Sequence, residues 1–164
     1  MKTLAIIGGG QHGVVVAEIA EATGYTVKGF LDDTIPAGTE ISGYKVLGKT
    51  ELCRNLEQGT EFVIAVGNNA TRKAIAENYS DLHWATLIHP SAVVSRRSTI
   101  GEGTVICANA VVNTLTKVGR HCIINTLAAV EHGCEIGDYC HIAPGTIVNA
   151  YKIVAELSAE KRYV

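Results

Sequence analysis

The fold is decided by residues 99–148, TIGEGTVICANAVVNTLTKVGRHCIINTLAAVEHGCEIGDYCHIAPGTIV, in which a branched apolar residue returns at every sixth position. Followed in both directions, the series runs without a break through Ile88, Val94, Ile100, Ile106, Val112, Val118, Ile124, Val130, Ile136, Ile142, Val148 and Val154. The residue four positions after each branched one is small from Ala92 to Thr146, and Lys152 is the first exception. Such a short repeat predicts a solenoid, in which each repeat buries its apolar residue only by stacking on its neighbours.

Glycine has its own spacing within this repeat. It follows the branched residue at Gly101, Gly119 and Gly137, so it returns after every three repeats. This period predicts a three-sided coil whose parallel strands stack about 4.8 Å apart, with one corner that needs the conformational freedom of glycine. Three cysteines, Cys122, Cys134 and Cys140, fall in the row of small residues, and we interpret them as packing residues.

The first half of the chain has a different pattern of apolar residues. An apolar run at residues 3–7 ends at three glycines, a helical pattern covers residues 14–23, and a second apolar run covers residues 25–31. Residues 62–66 and a helix from about residue 71 form a second strand–turn–helix pattern. We therefore predict a small Rossmann-like α/β domain over residues 1–84 and a parallel β-helix over residues 85–154. Residues 155–164 are predicted to leave the repeat as a helix or a frayed tail.

The segment Gly8-Gly9-Gly10-Gln11-His12-Gly13 fits the pattern G-x-G-x-x-G between a strand and a helix, and Asp32 follows it. Backbone amides at such a helix start favour phosphate oxygens. The predicted domain has room for only about half of a dinucleotide-binding fold, so the pattern favours a nucleotide-sugar diphosphate over a nicotinamide dinucleotide. A tight turn without any ligand is the remaining alternative.

Composition excludes several classes of function. The formal charge of −2 and the scattered Lys and Arg residues give no footprint for nucleic acid or an anionic membrane. The N-terminal apolar run is too short for a signal peptide, and no stretch is long enough to span a membrane. Five cysteines without a Cys-x-x-Cys pair suit a reducing compartment. We therefore predict a cytoplasmic protein.

His132 lies off the buried row of the repeat, with Glu131 and Asn125 as polar neighbours. An imidazole has an unperturbed pKa near 6.5, so it can accept a proton from an amine or hydroxyl that attacks an acyl carbonyl. A surface histidine without a role is the alternative. Metal binding by the histidines of the repeat is disfavoured because none of them stacks on another in the predicted register, and His121 stacks on Tyr139 instead.

Several motifs together resemble one family. They are the glycine turn, Phe30-Leu31-Asp32-Asp33, Ala65-Val66-Gly67-Asn68-Asn69 with Arg72, Ile88-His89-Pro90, and Asn125-Thr126 leading to Glu131-His132. In order and spacing the chain resembles the bacterial sugar acyltransferases, which include the UDP-N-acetylbacillosamine N-acetyltransferase and sialic acid O-acetyltransferase types. The resemblance covers residues 3 to about 150.

The resemblance implies a left-handed hand for the β-helix, a homotrimer, and transfer of an acetyl group from acetyl-CoA to an amino or hydroxyl group of a nucleotide-linked sugar, without a metal. It implies His132 as the general base, Asn125 beside it and His141 at the acetyl-CoA site. It assigns the nucleotide-sugar contacts to Gly10, Gln11, His12, Asp32, Asp33 and Gly67.

Two departures from the family qualify this expectation. Gly133 stands where an acidic residue follows the base in the bacillosamine-type enzyme, and Glu131 is its expected substitute. The repeat also stops after Val148, whereas the family continues through further coils, so we interpret the chain as truncated or replaced at its C-terminal end. Two hypotheses follow: an acetyltransferase that is impaired as it stands, and a non-catalytic subunit that binds nucleotide sugars or serves in assembly.

Overall fold

The computed structural model describes residues 2–160. Its N-terminal part contains β1 (Lys2–Ile7), α1 (Gln11–Ala22), β2 (Tyr25–Leu31), β3 (Glu40–Ile41), β4 (Tyr44–Gly48), a 3₁₀ helix (Thr50–Asn55), β5 (Thr60–Ile64) and α2 (Asn69–Asn78). The repeat forms β6 (Leu87–Ile88), β7 (Val93–Val94), β8 (Thr99–Ile100), β9 (Val105–Ile106), β10 (Val111–Val112), β11 (Lys117–Val118), β12 (Ile123–Ile124), β13 (Ala129–Val130), β14 (Glu135–Ile136), β15 (His141–Ile142), β16 (Ile147–Val148), β17 (Ile153–Val154) and β18 (Ala159–Glu160).

The N-terminal sheet has the strand order β3-β4-β2-β1-β5. Strand β1 lies parallel to both β2 and β5, and β4 is parallel to β2, while the short β3 is antiparallel to β4. The strands buried in this sheet are continuous apolar runs, as expected where both faces of a parallel sheet are covered. The predicted α/β domain with a parallel sheet is confirmed.

The repeat forms a left-handed parallel β-helix with three sheets, as predicted. The sheets have the orders β16-β13-β10-β7, β17-β14-β11-β8 and β18-β15-β12-β9-β6. Each strand pairs with the strand eighteen residues away, for example Ile124 with Ile142, so the branched residues stack in the interior of the prism. This stacking supplies the burial that a single repeat cannot achieve.

The corners of the coil differ from the prediction. Gly101, Gly119 and Gly137 are absent from the described residues with positive φ. They are small because a Cβ atom would collide with the backbone of the next coil, which lies 2.5 Å from a Cβ built on Gly137. Positive φ occurs instead at every sixth residue of another row: Gly103, Asn109, Leu115, His121, Leu127, Gly133, Tyr139, Gly145, Tyr151 and Leu157. The prediction that glycine supplies conformational freedom at its corner was therefore wrong, since what limits that corner is close approach.

The row of small residues also donates hydrogen bonds. The side chains of Thr104 and Thr116 donate to carbonyls fifteen residues further along, at 2.9 Å. Cys122, Cys134 and Cys140 repeat the pattern with S–O distances of 3.1, 3.2 and 3.0 Å. These thiols are packing residues, as predicted, and each also contacts a carbonyl oxygen inside the prism.

The β-helix does not stop at Val148 or Val154. Ala159–Glu160 pairs with His141–Ile142, and the Ala143 amide donates to the Glu160 carbonyl. The expected helix or frayed tail was therefore wrong for residues 155–160, and the rest of that segment, 161–164, lies outside the described residues. The coil tolerates the break in pattern because its backbone hydrogen bonds do not depend on side-chain type, and because Lys152 and Glu160, the two residues that violate the repeat, form an ion pair at 3.0 Å.

The two parts of the chain share a core. Leu87, Val105 and Cys107, on the outer face of the sheet β6-β9-β12-β15-β18, belong to the same buried cluster as Val16 and Ala20 of α1. This sheet therefore faces the N-terminal domain. None of the helices in residues 2–160 is long and apolar enough to cross a membrane.

Candidate active site

The carboxyl ends of three parallel strands meet at one edge of the N-terminal sheet. Gly8–Gly10 follow β1, Asp32 and Asp33 follow β2, and Gly67 lies shortly after β5. Gly8 has a φ of 110°, and a Cβ atom on Gly13 would clash with the Gly8 carbonyl oxygen. The turn therefore has to be glycine-rich, and it brings Gly10 and Gln11 to the exposed N-terminal end of α1.

Asp32 organises this turn. One carboxylate oxygen accepts from the Gly9 amide at 2.9 Å, and the other accepts from the amide and hydroxyl of Thr34 at 2.8 and 2.7 Å and from the Ile35 amide at 3.2 Å. Burial alone would raise the pKa of Asp32, but these hydrogen bonds outweigh it and hold the pKa below its usual range. Asp33 accepts from the Thr50 amide at 2.8 Å. Both carboxylates thus support the loops that surround the candidate site.

His12 lies in the first turn of α1 with its Nε2 atom buried and without a hydrogen-bond partner among the described residues. The pKa of His12 is lowered to about 4, mainly by burial and in addition by the nearby His141 and Arg72. The ring is therefore neutral near pH 7. It places an unsatisfied nitrogen beside the β-helix.

His141 lies near His12, on the β-helix side. Its Nε2 atom lies 3.0 Å from the Nδ2 atom of Asn125, which follows β12 on the preceding coil. His141 also lines a cleft of about 520 Å³ whose other walls come from the start of α2 and from the last described coil: Gly67, Asn68, Asn69, Ala70, Leu157 and Ala159. The structure therefore brings His12, Gly67, Asn125 and His141 to one region.

His132 lies elsewhere, at the corner between β13 and β14. Its Nδ1 atom lies 3.5 Å from a carboxylate oxygen of Glu131, and its ring meets the Tyr151 ring edge-on at 5.0 Å. The same Glu131 oxygen accepts from Asn113 at 3.0 Å, which orients the carboxylate. The His132 side chain is 47% exposed. A reactive group at this position needs a partner that approaches from outside the coil.

Within residues 2–160, His132 contacts Glu131 and Tyr151, whereas Asn125 contacts His141. The expected proximity of Asn125 to His132 stays a prediction. The prediction that His121 stacks on Tyr139 is confirmed, with ring centroids 5.6 Å apart and planes 2° from parallel. The same residues contain no group of three or more His, Cys, Asp or Glu side chains that could hold a metal ion.

Sequence reasoning missed one residue of this region as a functional candidate. Arg72 is 1% exposed and lies beneath the Gly67 loop, between the two parts of the chain. An isolated arginine in a short helix carries no periodic signal, and its partners are backbone carbonyls that are distant in sequence. Only its place in the family motif drew attention to it.

Comparisons with known proteins agree with this two-part architecture. A family model of the PglD N-terminal domain matches residues 3–79, and a model of six bacterial transferase hexapeptide repeats matches residues 115–150. The curated UDP-N-acetylbacillosamine N-acetyltransferase of Bacillus subtilis (strain 168) is 45% identical over 114 residues, which make up 66% of this chain and 52% of that protein. The chain thus spans about half the length of this relative.

Solved structures cover more of the chain. The acetyltransferase domain of PglB from Neisseria gonorrhoeae FA1090, in complex with acetyl coenzyme A, has a TM-score of 0.82 and 38% identity, over 90% of this chain and 73% of that one. A mutant of perosamine N-acetyltransferase from Caulobacter crescentus, in complex with CoA and GDP-perosamine, has a TM-score of 0.89 and 33% identity, over 96% and 76% of the two chains.

Proposed function

The chain belongs to the family of bacterial sugar acetyltransferases that join a PglD-type N-terminal domain to hexapeptide repeats, and we propose that it transfers the acetyl group of acetyl-CoA to the amino group of a nucleotide-linked sugar. The observation that carries this proposal is the shared core of the N-terminal domain and the β-helix, which brings the neutral His12 near the β-helix face that holds Asn125 and His141. The proposed nucleotide site of the N-terminal domain therefore lies next to the β-helix that is proposed to carry the acetyl group.

The nucleotide sugar is proposed to bind at the glycine-turn edge, where α1 begins. Amides at this helix start suit the diphosphate oxygens. Gly10, Gln11, His12, Asp32, Asp33 and Gly67 are the proposed contacts. The relatives support an amino sugar as the acceptor, since their names specify N-acetyl transfer together with UDP-N-acetylbacillosamine and GDP-perosamine. Gly10 and Gln11 are exposed, which leaves room for a bound diphosphate.

His132 is the proposed general base. The neutral sugar amine attacks the thioester carbonyl of acetyl-CoA, a C–N bond forms, and His132 accepts the proton that the amine releases. The C–S bond then breaks, the CoA thiolate leaves, and the acetamide remains on the sugar. Glu131, 3.5 Å from the His132 Nδ1 atom, stabilises the imidazolium that forms. His141 is proposed to lie at the acetyl-CoA site, and Asn125 orients its ring.

The positions of His132 and the cleft on different sides of the coil support assembly of several copies, which we propose to be a homotrimer. Because His132 lies at the β13–β14 corner and the cleft lies on another face, a complete site needs the His132 corner of a second copy. The face beside that corner is apolar and partly exposed, which suits such a contact. We call it the apolar face; it consists of Val93, Val111, Ala129 and Ile147 with the flanking Leu115 and Leu127.

Leu115 and Leu127 support this assignment most directly. Both have positive φ, of 61° and 60°, and both are more than 60% exposed. A branched side chain in the left-handed region costs about 1 kcal/mol or more, and an exposed leucine gains nothing in return. Burial against a second copy would offset this cost. A cytoplasmic location is part of the proposal, because all five cysteines are free.

The test is a thiol-release assay with acetyl-CoA and with UDP-N-acetylbacillosamine, GDP-perosamine and unacylated hydroxyl-sugar nucleotides as acceptors. We expect CoA release with an amino-sugar nucleotide and none with the hydroxyl-sugar nucleotides. Acceptor binding in calorimetry without any turnover would instead favour a non-catalytic nucleotide-sugar-binding subunit. A chain that binds neither acetyl-CoA nor a nucleotide sugar would contradict the proposal.

A further inference from the structure

Arg72 is a buried cation without a carboxylate partner. It is 1% exposed, and no salt bridge to it occurs among residues 2–160. Burial lowers the pKa of its guanidinium to about 10, which leaves the group charged at neutral pH. A buried charge is costly unless all of its donors are satisfied, so the partners of this side chain explain why it is tolerated.

All of these partners are neutral oxygens, and they fall into two groups. On the N-terminal side, the guanidinium donates to the Val66 carbonyl at 2.8 Å, to the Gly67 carbonyl at 3.3 Å and to the Asn69 side chain at 2.8 Å. On the β-helix side, it donates to the carbonyls of His121 and Tyr139 at 2.7 Å each, and to that of Cys140 at 3.3 Å. A planar fork with five N–H donors can reach both groups at once, whereas a lysine ammonium cannot.

These hydrogen bonds fix the direction of two peptide groups. In a trans peptide the N–H points away from the C=O, and the described chain has no cis peptide. Because the Val66 and Gly67 carbonyls point towards Arg72, the amides of Gly67 and Asn68 point away from it. Gly67 and Asn68 line the cleft opposite His141. Arg72 thus sets both the orientation of this loop and its position relative to the β-helix.

We propose that Arg72 is a positioning residue that holds the Gly67 loop in register with His141, so that a nucleotide sugar bound to the loop meets the acetyl group carried by the β-helix. The inference rests on the proposed function and adds to it a residue that touches neither substrate. Its effect is specific for the nucleotide sugar, since the loop belongs to the N-terminal domain. The coils that carry His141 are also held by their own backbone hydrogen bonds, so we expect the acetyl-CoA contacts to depend much less on Arg72.

Lys73 provides the matched control. It is the next residue of α2 and also bridges the two parts of the chain, with its Nζ atom 2.6 Å from a Glu156 carboxylate oxygen. Among residues 2–160 it forms no hydrogen bond with Val66 or Gly67, and its side chain is 32% exposed. Lys73→Met therefore weakens domain contact without releasing the loop. Arg72→Lys keeps the positive charge, and Arg72→Met removes it, while both lose the fork.

The experiment measures steady-state kinetics for the full chain and the three variants, with the accepted amino-sugar nucleotide and acetyl-CoA varied in turn. For Arg72→Lys and Arg72→Met we expect the KM of the nucleotide sugar to rise at least tenfold while the KM of acetyl-CoA changes less than twofold. Lys73→Met should leave both KM values within twofold. Arg72→Lys keeps the test valid if Arg72→Met fails to fold.

Three results would overturn the proposal. A lower melting temperature with both KM values unchanged would make Arg72 purely structural. An equal rise in both KM values would mean a general disturbance of the fold. A crystal structure of Arg72→Lys with the Gly67 carbonyl in its original direction would show that the loop does not depend on the fork. If the wild-type chain showed no turnover, the proposed function itself would be contradicted. The crystal structure of Arg72→Lys tests only the role of the fork, so the two failures can be told apart.

Discussion

His132 is held between two neighbours that suit a base, the Glu131 carboxylate and the edge of the Tyr151 ring. We predict that His132→Ala lowers kcat about 10²- to 10⁴-fold, the usual contribution of a general base, and leaves nucleotide-sugar affinity unchanged in calorimetry. Glu131→Gln should lower kcat by a smaller factor, because it removes only the stabilising charge. His83→Ala, an exposed histidine of the N-terminal domain, is the control. Full activity in His132→Ala would exclude this base.

His121 and His12 make the fold sensitive to acid. Burial lowers the pKa of each ring to about 4, from 6.5 in the unfolded chain. Between pH 6.5 and 4 these two rings bind protons in the unfolded state but remain neutral in the folded state. The free energy of unfolding therefore falls as the pH falls. Each histidine contributes at most about 3 kcal/mol to this loss.

His121→Asn isolates one half of this effect. Asparagine tolerates the positive φ of 51° at this corner and does not titrate. We expect the variant to be less stable than the wild type at pH 7.5, because it loses the stacking on Tyr139, but to lose less of its stability on acidification. Urea unfolding at several pH values measures the difference, and identical pH slopes for the two proteins would contradict the prediction.

At the scale of the element, the β-helix depends on close stacking at one corner. A Cβ atom on Gly119 would lie 2.7 Å from the Asp138 amide, and one on Gly137 would lie 2.5 Å from the Glu156 amide. We predict that Gly119→Ala and Gly137→Ala each destabilise the protein by about 1–3 kcal/mol, as overpacking does. Gly67→Ala is the control, since its Cβ meets no atom within 4 Å. If none of the three variants changed the melting temperature, the coils would be able to move apart to accommodate a Cβ atom.

At the scale of the whole molecule, the apolar face implies self-association. We predict that the double variant Leu115→Asn/Leu127→Asn sediments as a monomer and loses acetyl transfer, because asparagine fits the left-handed backbone but cannot form the apolar contact. Leu157→Asn is the matched control for sedimentation alone, because Leu157 also lines the cleft: it has a φ of 64° as well, but it lies at the corner that α2 covers. A double variant that keeps the wild-type sedimentation coefficient would assign these leucines no role in assembly.

The sequence by itself determined the two-part architecture and the buried rows. Periods of six and eighteen residues arise from the geometry of the coil, so the interior residues and the stacking of His121 on Tyr139 could be predicted from the sequence. The glycine turn was equally readable, because close approach between Gly8 and Gly13 tolerates no side chain. The division between residues 84 and 85 stays a prediction, as do the roles of the site residues.

Only the tertiary structure decided which polar groups meet. The side chains of Asn125 and His141 pair across adjacent coils, His12 approaches them from another domain, and His132 stays apart at a different corner. Arg72 binds carbonyls up to 68 residues away. Such contacts depend on how the N-terminal domain docks on one face of the prism, and a local sequence period carries no information about docking. The continuation of the coil to Glu160 was hidden for a related reason, since backbone hydrogen bonds and the Lys152–Glu160 ion pair replace the missing apolar residue.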